Sequence, residues 1–103
     1  MQIKWSDDAI EELNAALEYG VSTFGENAAK RFYENLLENE SILLTNPRIG
    51  QNEPLLVRRS QNFRSRVVHK HYKLVYYIEV DIIYIVALFD TRRNPASLAN
   101  HIK

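Results

Sequence analysis

The sequence predicts an α+β fold in which a short N-terminal strand and a hairpin of two helices pack on a small antiparallel sheet. Apolar residues recur every three or four positions over residues 7–45, which is the period of an amphipathic helix. From residue 55 onward the period changes to two, which is typical of strands. With 103 residues and neither a repeat nor a long linker, the chain is predicted to be one domain over residues 1–103.

The first predicted elements are a strand over residues 2–5 and a helix over about residues 7–23. Ser6 suits the position before the helix because its hydroxyl can accept a hydrogen bond from a free backbone amide. Asp7 and Asp8 favour the first turn through the helix dipole. The apolar side of this helix consists of Ile10, Leu13, Ala16, Leu17 and Val21.

A second helix is predicted over about residues 26–45, after Gly25 interrupts the chain. Asn46-Pro47 ends it, because the residue before a proline avoids the helical region. Its apolar positions are Ala28, Phe32, Leu36 and Leu43, with Ala29, Tyr33 and Leu37 beside them. The two helices should form an antiparallel hairpin with one buried stripe. We expect Ile10, Leu13, Leu17, Phe32, Leu36 and Leu43 to pack against Leu74, Tyr76, Ile83 and Ile85 or their alternates.

The rest of the chain is predicted to form strands after a loop over residues 45–54. The predicted strands are a weak one at 55–60, then 63–70, 72–80 and 82–91, with a tight turn around Val80-Asp81. The last two are apolar on both alternating faces, as in a strand that is covered on both sides. The helical hairpin can cover one face only, and we therefore expect a partner molecule on the other.

Composition excludes several classes of protein. The chain has no cysteine, which excludes disulfides and thiolate zinc sites. Its longest apolar run, Ile82–Phe89, is too short to span a bilayer, and its first residues do not resemble a signal peptide. We expect a cytoplasmic protein without membrane contact.

Charge is segregated along the chain. Residues 1–50 carry four basic and nine acidic side chains, whereas residues 51–103 carry nine basic and four acidic ones. A basic segment within the second half contains Arg58, Arg59, Arg64, Arg66, Lys70 and Lys73, with Phe63 and Tyr72 between them. Such a segment could bind nucleic acid or an acidic protein. The alternative is a solvated sheet edge, where basic side chains oppose aggregation.

Two histidines, His69 and His71, are two residues apart, so they should share a strand face. They could act as acid and base near neutral pH or contribute to a metal site. A zinc site needs at least a third ligand at workable spacing, and the sequence offers none. Ordinary strand histidines are the preferred interpretation, with no metal and no cofactor.

Several stretches, in this order and spacing, resemble the RelE/ParE superfamily of toxins from type II toxin–antitoxin systems. They are Tyr19-Gly20, Phe24–Ala29, the turn Asn46–Gln51, the strand His71–Tyr77 and the ending Ala87–Leu98. The turn and the ending are most similar to the ParE branch. The resemblance covers nearly the whole chain and implies a growth-inhibiting toxin, linked to plasmid stabilisation and neutralised by a cognate antitoxin.

Within this superfamily, the RelE and YoeB branches cleave messenger RNA on the ribosome, which requires a base, cations for the phosphate and an acid. By resemblance to YoeB, Glu53 stands at the position of the base and Lys73 at that of a phosphate-binding residue, with Arg66 and Arg92 as further candidates. The closing His-Tyr pair of that branch is replaced by Thr91 and Arg92. The nuclease set is therefore incomplete.

The resemblance accordingly favours a ParE-type toxin that acts by binding, and it implies DNA gyrase as the target. The residues predicted to bind partners are Arg58, Arg59, Arg64, Arg66, Arg92, Arg93 and Leu98. The alternatives are a ribosome-dependent messenger RNA endonuclease and a member that binds only its antitoxin. The two strands that are apolar on both faces, together with the segregated charge, further suggest that the chain covers apolar surface by forming a homodimer or by binding the antitoxin.

Overall fold

The computed structural model describes residues 1–102, and the last residue of the predicted domain lies outside them. It contains five strands, three helices and one 3₁₀ turn within these residues. In chain order they are β1 (Gln2–Trp5), α1 (Asp7–Phe24), α2 (Glu26–Thr45), β2 (Gln51–Asn52), the 3₁₀ turn (Pro54–Leu56), β3 (Arg64–His69), β4 (Tyr72–Glu79), β5 (Ile82–Asp90) and α3 (Pro95–His101).

The strands form one sheet in the order β1-β5-β4-β3-β2. Neighbouring strands are antiparallel, except that β1 runs parallel to β5, with Gln2 opposite Ile82 and Trp5 opposite Ile85. The predicted α+β fold is confirmed, and the sheet differs from the antiparallel one expected only in the parallel direction of β1. Alternation of side chains reveals a strand but not the direction of its neighbour, and here the first strand lies beside the last.

The helical hairpin covers one face of the sheet, as the sequence predicts. Ser6 caps α1, its hydroxyl accepting a hydrogen bond from the Ala9 amide at 3.1 Å. Gly25 separates the helices with a φ of 92°, in the region that favours glycine. The predicted stripe is largely confirmed, because Phe32, Leu36 and Leu43 are buried and Leu13 and Leu17 pack against the same core with Leu74, Tyr76, Ile83 and Ile85. Ile10 is an exception and does not belong to the buried stripe, since it is 43% exposed.

The other face of the sheet is covered by the chain itself. A second core contains Leu56 from the 3₁₀ turn, Leu98 from α3 and Ile102, together with Phe63, Val75, Ala87 and Phe89. The expectation that a partner must cover this face is therefore corrected over most of its area. The sequence also did not predict α3, where the Asn94 side chain accepts a hydrogen bond from the Ala96 amide at 3.0 Å and Pro95 starts the helix.

The weak strand predicted over residues 55–60 is wrong. Pro54 begins a 3₁₀ turn there, and the side chain of Glu53 accepts a hydrogen bond from the Leu55 amide. A carboxylate followed by proline favours the first turn of a helix, because the carboxylate can cap the free amides and proline needs no hydrogen bond at that position. A strand there would need the backbone N–H that proline lacks.

The turn between the helices and the sheet is fixed by one tyrosine. The buried Tyr76 hydroxyl donates to the Pro47 carbonyl at 2.8 Å and accepts from the Gly50 amide at 3.0 Å. Burial raises the pKa of Tyr76, and the hydroxyl stays protonated as a donor. A Cβ at position 50 would lie 2.5 Å from this hydroxyl and 2.8 Å from the Ser65 carbonyl oxygen. Only glycine therefore fits this turn.

Candidate functional site

Two of the four nuclease candidates meet on the second face of the sheet. The Glu53 side chain is fully buried, and one carboxylate oxygen accepts from the Lys73 ammonium group. The other oxygen accepts from the Leu55 amide at 3.1 Å. The Lys73 ammonium also lies 5.7 Å from the centroid of the Phe89 ring, in the second core. Glu53 and Lys73 thus form a buried ion pair that fixes the 3₁₀ turn to β4.

The third candidate, Arg66, lies on the opposite face of the sheet. Its register partner Leu74 belongs to the core under the helices, and its Nε donates to the Asn39 side chain of α2 at 2.7 Å. Asn39 is itself buried and donates to the Asn35 carbonyl at 2.8 Å, while the Asn35 side chain donates to the Val68 carbonyl at 2.6 Å. This network joins α2 to the edge of β3, and the sheet separates Arg66 from Glu53 and Lys73.

The fourth candidate, Arg92, lies in the turn after β5. Its guanidinium binds the Asp90 carboxylate through two hydrogen bonds, of 3.0 and 2.8 Å. These bonds hold the pKa of Asp90 below its ordinary value. The four residues therefore do not surround a single phosphate in this structure, because two pair with each other and the other two bind separate neighbours.

The residues predicted to bind partners are also dispersed. Arg58, Arg92 and Arg93 are exposed, but the Arg59 guanidinium donates to the Ala99 carbonyl of α3. The Arg64 guanidinium donates to the Gly50 carbonyl at 2.8 Å and helps to hold the turn.

Leu98 is a correction within the same set. It is fully buried in the second core because α3 folds back onto the sheet. It therefore stabilises the fold and offers no surface to a partner. No local pattern predicts this, since a leucine in such a segment can pack on a partner or on its own sheet with the same residues around it in sequence.

The two histidines do not lie on one strand. His69 ends β3 and packs edge-on against Phe32, with ring centroids 5.3 Å apart. His71 follows in the turn, after Lys70 with a positive φ of 31°, and is exposed. Within residues 1–102, no cluster of three or more acidic or histidine side chains has a geometry that could hold a metal ion.

Sequence reasoning missed a cleft of about 580 Å³ between the tip of the helical hairpin and the β3–β4 turn, which we call the tip cleft. Aromatic rings and small residues both line it. The rings are those of Tyr19, Phe24, Phe32 and Tyr72, and the small residues are Ala16, Gly20, Ala28 and Ala29. The small residues at helical spacing were the available signal, because they allow close approach of helices, but the cleft needs the distant β3–β4 turn as its third wall.

None of the helices within residues 1–102 is long and apolar enough to cross a membrane.

The fold is similar to those of two solved toxin structures. One, described as the chromosomal ParDE TA system from P. aeruginosa, superposes with a TM-score of 0.71 at 18% sequence identity, over 87% of this chain and 95% of that chain. The other, the YoeB dimer from Staphylococcus aureus, has a TM-score of 0.59 at 21% identity, over 85% and 93% of the two chains. At these identities the likeness shows the fold alone.

Sequence comparison is more specific about the family. No curated protein matches the chain significantly. A family profile described as the ParE toxin of the type II toxin-antitoxin system, parDE, matches residues 3–95, which include both long helices and every strand residue except Gln2. The chain therefore belongs to the ParE family of type II toxins, within the RelE/ParE superfamily.

Proposed function

We propose that this toxin acts by docking on DNA gyrase and inhibiting it, and that a cognate antitoxin neutralises it. The observation that carries the proposal is the separation of the four residues that RNA cleavage would need. A general base must reach the ribose hydroxyl from which it removes the proton. Glu53 has no exposed side-chain surface, and both of its oxygens already accept hydrogen bonds.

The remaining parts of a nuclease are also committed elsewhere. Arg66 is held by Asn39 on the helix side of the sheet, and Arg92 is held by Asp90 in a surface turn. Thr91 occupies the place of the acid, and its hydroxyl donates to the His71 carbonyl at 3.0 Å. Membership of the ParE family supports gyrase as the target, since the ParE branch is the one whose toxins act on gyrase.

The second candidate function is ribosome-dependent cleavage of messenger RNA, which the fold likeness to the YoeB toxin favours. Two assays with the same purified chain separate the candidates: gyrase supercoiling, and cleavage of ribosome-bound messenger RNA. We expect inhibition of supercoiling and no cuts at codon positions. Cuts that vanish in Lys73→Ala, with the circular dichroism spectrum intact, would establish the nuclease instead, since loss of one phosphate-binding cation slows such a reaction about a hundredfold.

The antitoxin part of the proposal has its own test. The toxin should copurify with a small acidic protein encoded beside it and bury more than about 1,200 Å² in total in that complex. Self-association into a homodimer is the other way to cover exposed apolar side chains. A chain that stays monomeric in sedimentation analysis and does not bind that neighbour would contradict this part while leaving the gyrase assay unaffected.

A further inference from the structure

The C-terminal segment covers the second face of the sheet unevenly. Val75 and Ala87 are fully buried in the second core with α3 and the 3₁₀ turn. Closer to the β4–β5 turn on the same strands, Tyr77 and Tyr84 are only half-buried, and their rings stack with centroids 5.1 Å apart. Tyrosine is enriched in protein interfaces, because its ring is apolar and its hydroxyl polar. This end of the face is therefore the part that a partner could still cover.

The turn beside the two tyrosines contains an exposed valine in a strained conformation. Val80 and Asp81 join β4 to β5, between the paired residues Glu79 and Ile82. Val80 has a φ of 56°, which a β-branched side chain rarely adopts, and it is 89% exposed. Turns of two residues with such a φ usually contain glycine or asparagine. Because burial within the chain does not offset this strain, the apolar side chain points to a contact with another molecule.

Two exposed side chains of opposite charge flank the tyrosines. Ile3 and Trp5 of β1 pack against the core under the helices, so the side chain of Lys4 between them lies on the second face. Glu79 lies on the second face as well, because Ile78 before it packs under the helices. Lys4 is on β1 and Glu79 is on β4, so the two charges lie on opposite sides of β5.

We propose that this end of the sheet binds a second copy of the chain, face to face. We call the surface the tyrosine face, and it consists of Lys4, Tyr77, Glu79, Val80, Ile82 and Tyr84. A contact between two identical surfaces requires that each be complementary to itself. A two-fold axis in the plane of the contact that exchanges Lys4 with Glu79 forms two ion pairs between the copies. The same axis lays the tyrosines of one copy against those of the other.

A second copy fits the tyrosine face better than a partner of one charge sign does. Such a partner would meet either Lys4 or Glu79 with a like charge, which opposes association. The surface has far fewer residues than the roughly 20–30 that a stable interface has on each side. We therefore expect a reversible dimer, with a dissociation constant on the order of 10 μM, rather than an obligate one.

The test is sedimentation velocity of the full chain at rising protein concentration. We expect the sedimentation coefficient to increase from that of a monomer toward that of a dimer. Lys4→Glu brings two carboxylates together at each proposed ion pair, and Glu79→Lys brings two ammonium groups together. Each variant should raise the dissociation constant roughly tenfold or more, because like charges across an interface repel.

Mixing these two variants is the sharpest measurement. One copy of each restores both ion pairs with their charges exchanged, so an equimolar mixture should associate about as strongly as the unchanged chain. Loss of fold in either variant could not produce this recovery. Lys30→Glu and Glu38→Lys are the matched controls, since they make the same changes at exposed positions of α2. Both should associate as the unchanged chain does.

Val80→Gly separates association from stability. The change relieves the positive φ and removes the apolar side chain from the turn. We expect a thermal unfolding temperature at least as high as that of the unchanged chain, together with a weaker dimer. A variant that associates as strongly as the unchanged chain would contradict the role of this turn in the contact.

Three further outcomes would overturn the proposal. They are a chain that sediments as a monomer at every concentration, a dimer that Lys4→Glu leaves intact, and a mixture of the two charge variants that stays monomeric. Equal losses in Lys4→Glu and Lys30→Glu would also overturn it, because they would reflect the net charge of the chain rather than this surface. The inference does not depend on the target of the toxin, so gyrase inhibition by the unchanged chain stands or falls separately.

Discussion

The two faces of the sheet are covered in different ways. One face lies under α1 and α2, with 18 and 20 residues, and the polar side chain buried there, that of Asn39, is uncharged. The other lies under the seven-residue α3 and a single 3₁₀ turn, and it contains the buried Glu53. Tyr77 and Tyr84 stay half-buried on that face, stacked at 5.1 Å. A strand that is apolar on both faces therefore indicates that both faces are covered, but it does not identify what covers them, which here is the chain's own C-terminal segment.

The largest expected effect compares one leucine from each core. Leu36 in α2 and Leu98 in α3 are both buried, and replacement by alanine removes the same atoms from each. Such replacements cost about 2–5 kcal/mol, depending on how far the surroundings collapse into the space. We expect Leu36→Ala at the upper end of this range and Leu98→Ala at the lower end, because a short terminal helix can shift where a long hairpin cannot. Urea unfolding measures both free energies.

Equal losses of unfolding free energy in Leu36→Ala and Leu98→Ala would show that the two cores are equally rigid. The expected difference between the two faces of the sheet would then be wrong. Leu37→Ala is a suitable control because Leu37 is 44% exposed on the same helix as Leu36. Its free energy of unfolding should change little.

The second expected effect concerns the ion pair on the second face. Lys73→Met would leave the Glu53 carboxylate buried without its cation, which costs about 3 kcal/mol. Adding Glu53→Gln should recover most of this loss, because the amide oxygen can still accept from the Leu55 amide without a buried charge. Urea unfolding of the single and double variants tests the coupling.

Arg92→Met is the control, because it removes the cation of a solvent-exposed ion pair with Asp90, in which half of the Arg92 side chain is exposed. Its effect on unfolding should be small. If Lys73→Met were as mild as Arg92→Met, the second face would be far more hydrated than its burial indicates.

The smallest expected effect concerns a contact between α1 and α3, the helices that lie on the two faces of the sheet. Glu12 of α1 accepts from the Leu88 amide at 3.2 Å and lies 3.7 Å from His101 Nε2 of α3. Burial raises the pKa of Glu12, so its ionised form costs stability above that raised pKa, and the cost is relieved as the pH falls through it. Glu12→Gln keeps an acceptor for Leu88 and should be at least as stable at neutral pH. Thermal unfolding across the acid range should show a flatter pH dependence for the variant, and an unchanged profile would contradict this account.

The helices and the two long strands could be predicted because their residues repeat with a local period. Ser6, Gly25 and Pro47 are also local signals, since each acts within one turn of the chain. The parallel direction of β1 and the fold-back of α3 could not be predicted, because both depend on contacts between distant residues.

The candidate site was predictable only in part, for the same reason. The resemblance to the YoeB branch singled out Glu53 and Lys73, and the two form an ion pair in the structure. Their chemical role depends on burial, since Glu53 is fully buried and Lys73 lies beside the ring of the distant Phe89 in the second core. The tip cleft needs three separate segments, and none of them is distinctive alone.

The pairing of β1 with β5 also has a consequence for folding during synthesis. The first strand leaves the ribosome early, but its partner residues 82–85 follow only after nearly the whole chain has been made. Contacts so far apart in sequence form late and slow the folding of a domain. The helical hairpin can therefore form while the sheet is still incomplete. Until β5 has been synthesised, the N-terminal strand has no neighbouring strand to pair with. A chain truncated before β5 would lack the strand that joins β1 to β4, and with it the anchor of its own N-terminus, so a prematurely ended translation product of this toxin would not fold.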